Sequence, residues 1–148
     1  MKRTCDICLA TLGLIITSPL LALIALLIKL DSAGPVIFRQ IRVGQGFRPF
    51  AIRKFRTMVA NDSVGGPLVT VGRDCRITRI GHILRGLKLD ELPQLWNVLL
   101  GDMSLVGPRP EVPRFVECAR AEFAEVLTVR PGITDLASLK YIDEAAIL

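Results

Sequence analysis

Three short stretches hold residues able to do chemistry. Asp90-Glu91-Leu92-Pro93-Gln94 sets two carboxylates side by side where an apolar, helix-like run begins. Lys54-Phe55-Arg56-Thr57-Met58 puts two cations on either side of a phenylalanine, and Gly107-Pro108-Arg109-Pro110-Glu111 holds an arginine between two prolines that restrict its backbone. Each has an ordinary reading on its own: acids complementing a helix dipole, a solvated basic pair, a loop. Together they supply what phosphoryl chemistry needs, namely carboxylates for a divalent metal, cations for phosphates and a nucleophile.

The elements that must position these residues are predicted from pattern. Val36-Ile37-Phe38 and Phe50-Ala51-Ile52 read as short strands of a hairpin turning around Gly44-Gln45-Gly46, a turn rather than a dinucleotide fingerprint because the third glycine and following helix are missing. The stretch 61–72, with Gly65-Gly66-Pro67, reads as a mobile loop. Ile77, Ile80, Ile83, Leu84 and Leu87 recur at helical spacing among Arg76, Arg79, Arg85 and Lys88, an amphipathic helix suited to an anionic leaflet. The lone histidine, His82, falls on it as a surface or packing residue. Leu92 to Leu100 predicts a second helix, with Pro93 in its first turn and Gly101 after its end, so that Asp90 and Glu91 sit at its N-terminus. Val112, Phe115, Val116, Ala119, Phe123, Val126 and Leu127 predict one further amphipathic helix.

Composition explains where this domain resides. The 148 residues are 51% hydrophobic with mean hydropathy +0.46, and the excess is concentrated in Ile7–Ile28, 22 residues without a charge against the ~20 that cross a bilayer core. The stretch exceeds a usual signal-peptide core and no small-x-small cleavage site succeeds it, so it is expected to be retained. Residues 29–148 suffice for one modest domain. Intrinsic disorder, a disulfide scaffold and a polytopic transporter are excluded. Residues 29–89 carry 12 Lys and Arg against 3 acids, a basic surface for anionic lipid or a phosphate-bearing substrate. Nucleic acid is the competing partner, but aromatics make up only 5% of the chain and Trp96 is the only Trp, which leaves little for base stacking. Cys5-x-x-Cys8 opens the apolar run without a second pair, which argues for burial or lipid contact over metal, and the reduced thiols suggest a cytoplasmic globular part. Pro19, preceded by Thr17 and Ser18 whose hydroxyls can bond back to freed carbonyls, allows either a kinked span or a re-entrant hairpin; residue physics alone favours the span.

Four motifs in order behind the apolar segment closely resemble the bacterial sugar transferase family, the monotopic phosphoglycosyl transferases. They are Lys54 to Met58, Leu89-Asp90-Glu91-Leu92-Pro93-Gln94-Leu95-Trp96-Asn97-Val98, Gly101 to Glu111, and Arg130-Pro131-Gly132-Ile133-Thr134. The resemblance implies transfer of a sugar 1-phosphate from a UDP-sugar to undecaprenyl phosphate, releasing UMP, as the first membrane step of a bacterial surface glycan such as an exopolysaccharide or lipopolysaccharide. It implies an α+β, mainly helical fold: a re-entrant helix-break-helix over residues 1–30, broken at Ser18-Pro19, then a cytoplasmic catalytic domain over 31–148 with amphipathic interfacial helices and a short β-hairpin. It makes Asp90 the covalent nucleophile, with Glu91 helping to hold Mg2+ beside it, Arg109 a nucleotide or phosphate ligand, and Lys54, Arg56 and Arg130 further phosphate-site residues. The implied partners are UDP-sugar, undecaprenyl phosphate and bacterial inner-membrane lipid, with no nucleic acid. Two departures stand out: Gly86-Leu87-Lys88 precedes the dyad where many relatives carry a hydroxyl, and the chain ends at Leu148, earlier than is typical. A basic, membrane-anchored binding module without catalysis is the alternative.

Overall fold

The computed structural model describes residues 1–59 and 76–135; the stretch 61–72, Cys75 and the residues after Asp135 lie wholly outside that description. It opens with a long apolar helix, α1 (Lys2–Asp31), followed by an antiparallel hairpin of β1 (Ile37–Val43) and β2 (Pro49–Phe55). Next come α2 (Arg79–Gly86), a 3-10 turn (Leu89–Glu91), α3 (Gln94–Leu100), β3 (Ser104–Val106), α4 (Pro113–Cys118), α5 (Arg120–Val126) and β4 (Gly132–Thr134), which pairs in parallel with β3. The described part is therefore mainly helical with a small antiparallel sheet.

α1 is a single helical element that includes Pro19, with no non-helical residue at Ser18-Pro19, where the break is expected. Proline leaves the Ile15 carbonyl without its usual donor, and the Ser18 hydroxyl donates to that oxygen at 2.8 Å. The helix touches the domain near both of its ends. Ala10 packs with Phe50, Ile52, Val98 and Met103, while Ile24 and Ile28 pack with Phe55 and Leu84. Between these contacts Leu12, Ile15, Ile16, Ser18, Pro19 and Leu20 are exposed. This is the one described helix long and apolar enough to cross a membrane, and its uncovered face consists largely of leucine and isoleucine.

The single helix expected over 112–127 is two, because the backbone leaves helical geometry at Ala119 (φ −127°, ψ 40°). The helix expected from Ile77 begins at Arg79: Thr78 is its cap, its side chain accepting from the Gly81 N–H at 2.9 Å, and Ile77 is drawn into a bridge with Met58. The hairpin is as expected but longer, its strands paired from Ile37 with Phe55 to Val43 with Pro49. Its outer edge is satisfied by a side chain. Asn97, fully buried on α3, accepts from the Arg53 N–H at 3.0 Å and donates to the Ala51 carbonyl at 2.8 Å. A strand edge that would otherwise lack partners is thereby fixed to the helix that comes after the carboxylate pair.

Candidate active site

The carboxylates sit in the 3-10 turn Leu89–Glu91, one turn before α3 rather than on its first residues. Lys88, immediately before them, has φ 56°, a left-handed conformation that is costly for a residue with a side chain. Because Asn97 locks α3 to β2, the turn is held against the strand that carries Lys54. The Lys54 ammonium donates to Glu91 Oε1 at 2.6 Å.

The two acids are in opposite electrostatic situations. Asp90 is 9% exposed, and burial pushes its carboxyl above the usual range; Lys54 and Arg85 oppose that and the adjacent Glu91 charge reinforces it. Burial pushes Glu91 the same way, but the Lys54 charge and hydrogen bond, with Arg109 and Lys88 behind them, outweigh it and hold Glu91 below its ordinary value. Glu91 is thus ionised and partnered, whereas Asp90 is buried with no side-chain ion pair among the described residues.

A cleft beside this pair is lined by Arg42, Ile52, Lys54, Glu91, Gln94, Arg109, Pro110, Gly132 and Ile133. Arg109 reaches it because β3 and β4 cross at two glycines. A Cβ on Gly132 would lie 2.1 Å from the Gly107 nitrogen, and one on Gly107 would lie 2.4 Å from the Arg130 carbonyl oxygen, so neither position admits a side chain. The contact is closed by Gly107 N–H donating to Thr134 and Gly132 N–H to Pro108.

Of the residues singled out from sequence, Lys54, Glu91 and Arg109 line one cleft and Asp90 flanks it in the chain. Arg56 is elsewhere: it is buried at the end of α1, donating to the Ser32 carbonyl (2.6 Å) and hydroxyl (2.9 Å), with Nε and Nη1 unpartnered. Arg56 is not among the residues that line the cleft, because β2 has ended and the chain turns Arg56 toward α1. Arg130 is half-buried beside the glycine crossing and is not among the lining residues. Arg42, Gln94 and Asn97 were missed; the only signal for Arg42 was its alternation with Gln40 on the strand opposite the Lys54 strand.

The profile of the bacterial sugar transferase family matches residues 1–147. The chain belongs to that family. Among curated relatives, it is 46% identical over 142 residues to the UDP-N-acetylgalactosamine-undecaprenyl-phosphate N-acetylgalactosaminephosphotransferase of Aeromonas hydrophila, covering 94% of this chain and 34% of the relative. It is 48% identical over 144 residues to the UDP-glucose:undecaprenyl-phosphate glucose-1-phosphate transferase of Caulobacter vibrioides, covering 94% and 53%. It is 44% identical over 147 residues to the exopolysaccharide production protein PSS of Rhizobium leguminosarum bv. phaseoli, covering 95% and 74%. This sugar transferase sequence therefore spans about a third to a half of the first two relatives.

Proposed function

We propose that this chain transfers a sugar 1-phosphate from a UDP-sugar to undecaprenyl phosphate and releases UMP, through a covalent intermediate on Asp90. The observation that carries this reading is a buried carboxylate without an ion pair, next to a carboxylate kept ionised by lysine, at the edge of a cation-lined cleft in a chain of this family.

In the first step an Asp90 oxygen attacks the phosphorus that bears the sugar. The bond from that phosphorus to the bridging oxygen breaks, and the bridging oxygen leaves with UMP. In the second step an oxygen of the polyprenyl phosphate attacks the same phosphorus and the Asp90 carboxylate leaves. Poor solvation of the Asp90 carboxylate favours bond formation over remaining an ion, while Arg109 and Lys54 offset the charge of the approaching phosphates. The donor set suits Mg2+: no group of three or more ligating side chains occurs among the described residues, but this ion takes one or two carboxylates and completes its shell with water and substrate phosphates. Asp90 and Glu91 would hold it, and it would supply charge neutralisation at the transferring phosphoryl group.

The acceptor carries its phosphate on a lipid, so the cleft must lie at membrane level. Both ends of α1 rest on the same small domain, which supports a re-entrant arrangement with both ends on the cytoplasmic face of the inner membrane. Names of the relatives favour an undecaprenyl-phosphate acceptor and leave the sugar open. Two assays test the reading. UMP release across a panel of UDP-sugars, with polyprenyl phosphate and Mg2+, is expected for at least one donor; none, with intact binding to anionic liposomes, would return the chain to a non-catalytic membrane module. A cysteine added at the N-terminus, with the native four replaced, is expected to be protected from an impermeant thiol reagent in intact cells. Its labelling would establish a single-pass topology.

A further inference from the structure

Arg42 is the cleft's least expected cation. It lies on β1, opposite Phe50 in the hairpin register and near the turn, and two contacts hold its guanidinium from different sides. Gln40 Oε1 accepts from Nε at 3.1 Å and from Nη2 at 2.8 Å, and the Pro110 carbonyl accepts from Nη1 at 3.1 Å. A guanidinium has five N–H bonds, and these contacts use three. Among the described residues no acceptor takes the remaining N–H on each terminal nitrogen, so two donors are available on a group already immobilised. Among the described residues the only carboxylate within ion-pair range is Glu111, at 3.8 Å and beyond hydrogen-bond reach.

The cleft's charges are unbalanced in the direction this geometry suggests. Arg42, Lys54 and Arg109 line it with one carboxylate, Glu91, and Lys54 already occupies that carboxylate. Arg42 and Arg109 are therefore two guanidiniums facing one space, joined through the loop because the carbonyl that restrains Arg42 belongs to the residue after Arg109. Burial lowers the affinity of Arg42 for its proton, Glu111 resists this, Arg109 adds to it, and Glu91 resists. The side chain stays charged, so the relief available to it is an anion.

We propose that Arg42 is a substrate-binding residue, and that it and Arg109 grip the diphosphate of the nucleotide sugar between hairpin and loop, with Gln40 as the positioning residue that aims Arg42. This rests on the UDP-sugar reading above and adds to it a ligand on the hairpin. Prior restraint of the guanidinium lowers the ordering cost of forming the grip, and a lysine cannot reproduce the two-pronged contact.

The test is calorimetric binding of UDP and of uridine to the purified full chain, with UMP release measured in parallel. Arg42→Lys and Arg42→Met are expected to weaken UDP binding by about tenfold or more while leaving uridine binding unchanged. Gln40→Glu separates binding from a merely structural role: it keeps the acceptor oxygen that holds Arg42 but sets a fixed negative charge against the guanidinium, so UDP affinity is expected to fall without a lower melting temperature. If Arg42→Met does not fold, Arg42→Lys and Gln40→Glu give the answer. UDP affinity equal to the parent's in those two variants would overturn the proposal and make Arg42 a strut between β1 and the loop. A parent that releases UMP while those variants bind normally defeats only this inference, whereas a parent that binds UDP no better than uridine and releases no UMP defeats the proposed function and this inference with it.

Discussion

Two clusters of buried charge lie on either side of α3 and differ in how completely they are satisfied. At the start of α1, the Arg3 guanidinium donates to the Val98 (2.7 Å) and Leu99 (3.2 Å) carbonyls at the end of α3, the first of which also accepts from the Gly101 N–H. Asp6, 7% exposed within an apolar helix, accepts from the Ser104 hydroxyl at 2.8 Å and the Leu105 N–H at 3.3 Å. Both charges end on fixed groups of the chain, which leaves little capacity for a ligand. At the other end of α3 the cleft collects three cations around one occupied carboxylate, and Asp90 is buried beside it without an ion pair. Burial of charge therefore does not by itself mark a functional site. Unbalanced charge lining an open cleft does, because desolvation has been incurred and the compensating partner can enter from outside; Arg56, with two buried nitrogens unpartnered, faces the end of α1 and does not line this cleft.

The contrast between the clusters can be broken most forcefully at Asp90. Asp90→Asn is nearly isosteric but cannot form the acyl phosphate, so UMP release is expected to fall by about a thousandfold or more with the fold intact. Retention of a substantial fraction of parental activity would remove Asp90 from the nucleophile role. The next largest effect is expected at the glycine crossing that delivers Arg109. Gly132→Ala forces a Cβ into the Gly107 backbone and should cost roughly 3 kcal/mol or more, read as a lower melting temperature. An unchanged melting curve would mean that the crossing relaxes freely.

Lys54→Met leaves the half-buried Glu91 without its cation, and activity should fall by about ten- to a hundredfold. Glu91 is held below its ordinary value chiefly by Lys54, so losing the lysine raises that value and moves the acid limb of the rate profile to higher pH. A limb that stays in place would show that Glu91 ionisation does not govern the rate.

In the satisfied cluster the effect should be confined to stability. Asp6→Ala leaves the Ser104 hydroxyl and the Leu105 N–H without their acceptor, a loss of about 1–3 kcal/mol by chemical denaturation, while turnover per folded molecule stays near the parent's. A fall in turnover without a fall in stability would erase the distinction between the clusters. The smallest effect returns to Asp90. Its carboxyl value is raised by burial, so the protonated form is favoured in the folded state and stability is lost as pH rises from the ordinary aspartate range through the raised value. Asp90→Asn should thus melt slightly above the parent at neutral pH, with the gap closing as the solution is acidified. A gap independent of pH would locate the cause in packing.

Much of the fold was legible because it depends on local pattern. The hairpin could be read from apolar runs around a glycine turn, and the end of α3 from Gly101, whose φ of 95° suits glycine. The break at Ala119 was not legible, since the apolar spacing of Val116, Phe123 and Leu127 continues across it while the backbone does not. Nor was the parallel pairing of β3 with β4, three-residue strands too short to show a period.

By itself, the sequence determined the inventory: an uncharged 22-residue run, a basic middle, an adjacent Asp-Glu pair and an arginine held between prolines, all properties of neighbours along the chain. Only tertiary structure decided how those charges are distributed among partners. Lys54 and Arg56 are two residues apart and chemically alike, yet Lys54 pairs with Glu91 at the cleft while Arg56 is buried against Ser32. Arg42, which no motif marked, joins the cleft because the hairpin register sets β1 against the strand that Asn97 ties to α3. The physical reason is that an ionic group's role depends on its solvation and on the groups within a few ångströms, and contacts such as Lys54 to Glu91 or Asp6 to Ser104 join residues 37 and 98 positions apart in the chain.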